Sequence, residues 1–177
     1  MKPNNTQRKA VKADNSTRRI IGIDPGLAST GWGVLDCTCG KIRYVDHGHI
    51  ETTADKPRAQ RLLFIQQAIR SILNDYKPGE AAVETLYFGK NISSAIPVAE
   101  SRGVISAALA EKGLVLRELT PNAIKKGVVG ILKADKKQIQ EMVKIILGLD
   151  DIPRPDHAAD ALGAAICAAL IPDKKLG

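Results

Sequence analysis

A chain of 177 residues, 44% hydrophobic and 25% charged, has room for one domain with a core of its own, and no second domain is expected. Its three cysteines, Cys37, Cys39 and Cys167, argue against a disulfide framework and for a reducing, cytoplasmic setting. The longest apolar stretch near the end, residues 158–171, carries Asp160 and is too short to cross a bilayer, so no membrane association is expected.

The net charge is +7, and Lys2, Arg8, Lys9, Lys12, Arg18 and Arg19 against Asp14 place +5 of it in residues 1–19. That polar stretch reads as a basic disordered leader over 1–18, followed by a single domain over 19–172 and a short tail over 173–177. A second basic cluster, Arg117 to Lys144, has a local excess of +4. It is what a surface facing a phosphate backbone requires, although a solvated helix face has the same composition.

Three strands are expected over roughly 19–24, 31–37 and 41–51, with Gly40 and Lys41 at the turn between the second and third. Residues 57–76 change period: Leu62, Ile65, Ile69, Ile72, Leu73 and Tyr76 share one helical face, and Pro78-Gly79 ends it. Ala81 to Glu84 reads as a short buried strand. A helix from about Ser94 to Lys112 follows, with Pro97 in its first turn, and its many small residues suit close approach of the sheet or of a second subunit. Leu114 to Leu119 is a fifth strand. Thr120-Pro121 signals an N-cap with proline at the first helical position, for a helix ending near Gly127 to Gly130. Lys136 to Leu147 is amphipathic through Ile139, Met142, Val143 and Ile146, and a last helix runs from Asp156 to about Leu170. The order is that of an α/β domain on a five-stranded mixed sheet flanked by helices.

Acids stand at the ends of these elements. Asp24 closes the first apolar run, Glu84 closes another, and Asp156-His157-Ala158-Ala159-Asp160 opens the last helix. Strands ending in Asp24 and Glu84 can lie side by side, and residues three or four apart on a helix share a face, so Asp156 or His157 can point with Asp160. Crowded carboxylates raise one another's pKa unless a cation neutralises them. Oxygen donors favour Mg²⁺ or Mn²⁺, and a pair of such ions can serve phosphodiester hydrolysis.

The motifs GIDPGLASTGWGV (22–34), AVETLYFGKN (82–91) and DHAADALGAAI (156–166), in this order and spacing, closely resemble those of the bacterial RuvC Holliday junction resolvases, and the element order resembles the ribonuclease H fold. The resemblance spans Ile20 to Leu170. It implies a homodimeric, Mg²⁺-dependent endonuclease, with Mn²⁺ as a substitute, that nicks two strands of four-way junction DNA in recombination and repair and works with the RuvA and RuvB branch-migration proteins. Carried over by position, Asp24 and Glu84 match the first two catalytic acids and Asp160 the last. The position three before Asp160 is His157, where family members show a carboxylate or a histidine. His157 is the expected fourth residue, Asp156 the alternative, with Asp156 otherwise read as the N-cap of the last helix. Tyr87 matches an aromatic taken to stack on bases, with Phe88 beside it. Lys125 and Lys136 match residues directed at DNA, with Lys90 and Lys133 as neighbours.

Other readings are weaker. Cys37, Cys39, His47 and His49 have the residue types of a zinc site, but a turn at Gly40-Lys41 leaves His47 opposite Val34, about 10 Å along the hairpin from the cysteines. An actin or sugar-kinase type ATPase shares the Asp-x-Gly loop yet needs two related domains. Another ribonuclease H-fold nuclease, or a module that binds junctions without cutting, are the nearer alternatives.

Overall fold

The computed structural model describes residues 16–85 and 92–171, with backbone alone for 92–94. Alternation in β1 (Arg18–Asp24) sends Ile20 and Gly22 to one face and Ile21 and Ile23 to the other, and all three isoleucines are fully buried, as befits a central strand. β2 (Ser29–Thr38) and β3 (Lys41–Glu51) follow as an antiparallel meander. β4 (Glu80–Glu84) and β5 (Val115–Leu119) add parallel strands on the other side, giving the order β3-β2-β1-β4-β5. This is the expected five-stranded mixed sheet.

The hairpin turn differs from expectation by one residue. Its two turn residues are Cys39 and Gly40, with φ of 50° and 78°, and Thr38 pairs with Lys41. A tight two-residue turn that matches strand twist needs positive φ at both positions, and Cys39 accepts one of them. This turn sets Cys37 opposite Ile42, and a bulge between Val34 and Leu35 then shifts the register so that His47 faces Gly33.

Both parallel crossovers lie on one face of the sheet. α1 (Arg58–Tyr76) buries Ile65, Ile69 and Leu73, and α2 (Ile92–Glu111) buries Ile105, Ala108 and Leu109, in one cluster with Ile21, Ile23 and Val83. The two helices run side by side in the same direction, tied by Arg58 to Glu100 and Arg70 to Glu111. α2 starts two residues earlier than expected. Pro97 therefore lies in its second turn, where its missing amide deprives an earlier carbonyl of a donor.

The opposite face carries α3 (Pro121–Val129), α4 (Lys136–Leu147) and α5 (Asp156–Leu170), whose Ile124, Val128, Val143, Leu162 and Ile166 pack with Ile20 and Leu35. Thr120 caps α3 by accepting the Ala123 amide at 3.0 Å, and Gly130 ends it in the left-handed conformation. Asp135 and Gln138 form a reciprocal capping box on α4 that the apolar pattern does not reveal.

α5 sits directly on the sheet. A methyl group on Gly22 would overlap the Ala161 carbonyl, one on Gly31 the His157 carbonyl, and one on Gly33 the Leu162 side chain. Glycine on the strands and Ala158, Ala161 and Ala165 on the helix thus bring the two backbones together. At the far end, Arg18 pairs with Glu80 at 2.6 Å and reaches carbonyls at the end of α5. Arg19 pairs with Asp36 at 2.8 Å. The leader is expected to end at Arg18, whereas that residue opens β1 together with Arg19. Residues 1–15 and 172–177 lie outside the described residues.

Candidate active site

Asp24 and Glu84 end adjacent parallel strands, since Ile23 pairs with Val83. The Asp-Pro-Gly turn after Asp24 is held by the buried Thr30, whose hydroxyl donates to the Gly26 carbonyl at 2.7 Å. α5 crosses above, and its contact with Gly31 fixes the height of its first turn. His157 Nδ1 consequently lies 2.7 Å from Asp24 Oδ2. Donor atoms of Asp24, His157 and Asp160 fall within 4.8 Å of one another. An ionised Asp24 makes Nδ1 the protonated nitrogen of a neutral ring and leaves Nε2 as acceptor.

Glu84 stands beside this group without joining it. Together with Asp160, Lys125, Pro121, Ile124 and Ile139 it lines a cleft of about 70 Å³. Burial raises the Asp24 carboxyl above its ordinary value, with the His157 hydrogen bond pulling it back and the Asp160 charge pushing it up. Burial also raises Glu84, followed by the charges of Asp24 and Asp160, while Lys125 opposes them. Carboxylates and one imidazole at such separations form a donor set suited to a divalent cation.

These shifts have a consequence for stability. A carboxyl whose pKa is raised by folding binds its proton more tightly in the folded state. Without metal, stability therefore falls as pH rises from the ordinary carboxylate value through the raised one, and stays lower above it. Glu84→Gln is expected to have a higher Tm than the parent at neutral pH in chelator, and a flatter decline between acid and neutral pH. Thermal denaturation across pH measures this; an unchanged or lower neutral Tm would contradict it.

The remaining residues divide. Asp156 is the first residue of α5 rather than its cap: Pro155 holds the cap position and no side chain caps the helix. An acid in a first turn is favoured by the helix dipole, and its carboxylate meets Lys136 at 3.3 Å and Arg154 at 3.5 Å. The same Lys136 ammonium lies 3.2 Å from Asp160. Lys125 is half-buried beside Glu84, and Lys133 is exposed between α3 and α4. Tyr87, Phe88 and Lys90 fall outside the described residues. The hairpin cysteines and histidines point elsewhere: the Cys37 thiol faces the Ala169 carbonyl, and His47 Nδ1 meets the Tyr44 hydroxyl at 2.8 Å. The contacts of Gly22 and Gly31 with α5 escaped the sequence reading, although small residues on both partners were the available signal.

A family model described as crossover junction endodeoxyribonuclease RuvC matches residues 20–168. The RuvC protein of Treponema denticola is 50% identical over 159 residues, covering 89% of each chain. That of Chloroflexus aurantiacus is 48% identical over 151 residues, covering 85% of this chain and 92% of the relative. Thermus thermophilus RuvC, solved with a Holliday junction substrate, superposes with a TM-score of 0.81 at 31% identity, covering 86% of this chain and 93% of that one. A yeast mitochondrial Holliday junction resolvase, Ydc2, shares the fold with a TM-score of 0.62 at 13% identity. With matched motifs, a matched sheet and a family model spanning nearly the whole described domain, the chain belongs to the RuvC family of crossover junction endodeoxyribonucleases.

Proposed function

We infer that this protein resolves four-way DNA junctions with Asp24, Glu84, His157 and Asp160 as its catalytic group. The observation that carries the reading is the meeting of Asp24, His157 and Asp160 within 4.8 Å at the strand end beside Glu84. A divalent cation, Mg²⁺ or Mn²⁺, would be held by these four residues and would supply activation of water and neutralisation of the leaving oxygen. Asp24 orients the imidazole through Nδ1, which leaves the Nε2 lone pair as the ring's donor to the cation. Lys125 and Lys136 provide positive charge for the phosphates on either side of the cut strand. Tyr87 and Phe88 are proposed to stack on unpaired bases, at about 1–3 kcal/mol per base.

The test is incubation with Mg²⁺ and a mobile four-way junction, beside linear duplex and an RNA/DNA hybrid. Paired nicks on the junction are expected, and preferential cutting of the hybrid would replace this reading with that of a different ribonuclease H-fold nuclease. Binding without cutting would make the protein a junction-binding module. Partnership with RuvA and RuvB in the cytoplasm is supported by family membership alone; among the described residues no helix is long and apolar enough to cross a membrane.

His157 is separable from Asp156 by substitution. His157→Ala should slow cleavage by roughly 10²-fold or more, and His157→Asp should retain substantial activity because a carboxylate can replace the donor. Asp156→Asn should cut at near-parent rates in saturating Mg²⁺. A dead Asp156→Asn beside a fully active His157→Ala, measured in single-turnover assays, would reverse the assignment.

Two symmetric cuts call for two sites related by a twofold axis. One face of α2 is buried against the sheet, while Ile96, Gly103, Ala107 and Ala110 form an exposed stripe on another. We assign the homodimer contact to that stripe. Ala107→Arg should sediment as a monomer and lose paired nicking; a dimer that still cuts both strands would place the contact elsewhere.

A further inference from the structure

Lys136 is shared between two carboxylates of different standing. Its ammonium is 3.2 Å from Asp160 Oδ2, within the donor group, and 3.3 Å from Asp156 Oδ2, outside it. The lysine is the first residue of α4, and the Asp135–Gln138 capping box fixes the backbone from which it extends. Asp156 is the first residue of α5, held on its other oxygen by Arg154 at 3.5 Å. Two helix starts therefore meet through one cation.

An ammonium and a divalent ion on the same carboxylate repel each other and compete for its oxygens. If Asp160 were the lysine's sole partner, metal uptake would have to expel Lys136 into solvent, and the nearby positive charge would weaken the centre. We propose that Asp156 is a positioning residue that acts through Lys136, giving the ammonium a second anchor so that Asp160 can turn to the cation while the lysine stays beside the site for the DNA phosphate. This rests on the reading of Asp24, His157 and Asp160 as metal donors.

The test is a calorimetric Mn²⁺ titration of the full chain without DNA, for the parent, Asp156→Asn, Lys136→Met and the double variant. Asp156→Asn should weaken Mn²⁺ binding by about three- to tenfold, near the lower end for residues that act through a neighbour. Lys136→Met should tighten it, and with Lys136 replaced the added Asp156→Asn should change affinity by less than about twofold. Asp156→Glu should bind within about twofold of the parent. If Asp156 acted only through its own charge on the ion, the weakening would be equal in both backgrounds, and that result overturns the proposal. No loss in the single Asp156→Asn variant overturns it as well. A parent chain that takes up no Mn²⁺ would instead overturn the metal centre, and the proposal with it.

Discussion

Asp24→Asn is expected to lower the rate of junction cleavage by roughly 10³-fold or more, since even residues that only orient a metal ligand cost 10- to 100-fold. The carboxylate accepts from His157 and contributes to the group that includes Asp160. A neutral amide lacks the charge that balances a cation, and because it can donate through Nδ2 as well as accept through Oδ1 it no longer fixes the imidazole tautomer. Junction affinity should stay within a few-fold of the parent, because it comes mainly from lysines and arginines on phosphates. Single-turnover cleavage in Mg²⁺ and fluorescence anisotropy on the same junction read the two quantities separately. Near-native cutting by the variant would remove Asp24 from the site.

Gly31→Ala should damage both stability and cleavage, because the helix backbone it meets is that of His157 itself. The added methyl would fall on the His157 carbonyl and its neighbouring backbone, with no side chain to swing aside. The start of α5 must lift, at about 1–3 kcal/mol by analogy with overpacked cores. The lift moves His157 away from Asp24, and a misplacement near 1 Å can cost about 10²-fold in rate. Gly33→Ala is the comparison: its nearest neighbour is the Leu162 side chain, so the site should be less disturbed for a similar loss in Tm. Thermal denaturation and cleavage rates decide this. A Gly31→Ala variant with parental Tm and rate would show that the helix does not need this contact.

Much of this architecture follows from short-range patterns. Isoleucines at 20, 21 and 23 mark a strand buried on both faces, and the spacing of Ile65, Ile69 and Leu73 marks the buried stripe of α1. Asp24 and Glu84 close runs that become parallel neighbours, so their proximity was legible before the fold was known. What stayed hidden is set by other forces. Cys39 adopts a positive φ that its residue type disfavours, which moved the turn by one position, and the bulge at Val34/Leu35 has no counterpart in composition. Asp156 illustrates the limit most clearly. An acid beside a helix start serves equally as cap, first-turn charge or ligand, and its partner Lys136 lies twenty residues earlier in the chain on another helix. Likewise, nothing in the charge of Arg18 distinguishes the end of a loose leader from a strand arginine paired to Glu80.

The contact of bare backbones between α5 and the first two strands also determines how the centre can open. Side chains interposed between a helix and a sheet can change rotamer and let the layers slide, whereas at Gly22 and Gly31 there is none on the sheet side to do so. Asp24 on its strand and His157 and Asp160 on their helix therefore separate only with the cooperative unit that contains the central sheet, and local breathing leaves them together. A ligand held between those two elements would thus add its binding free energy to the stability of the whole cooperative unit.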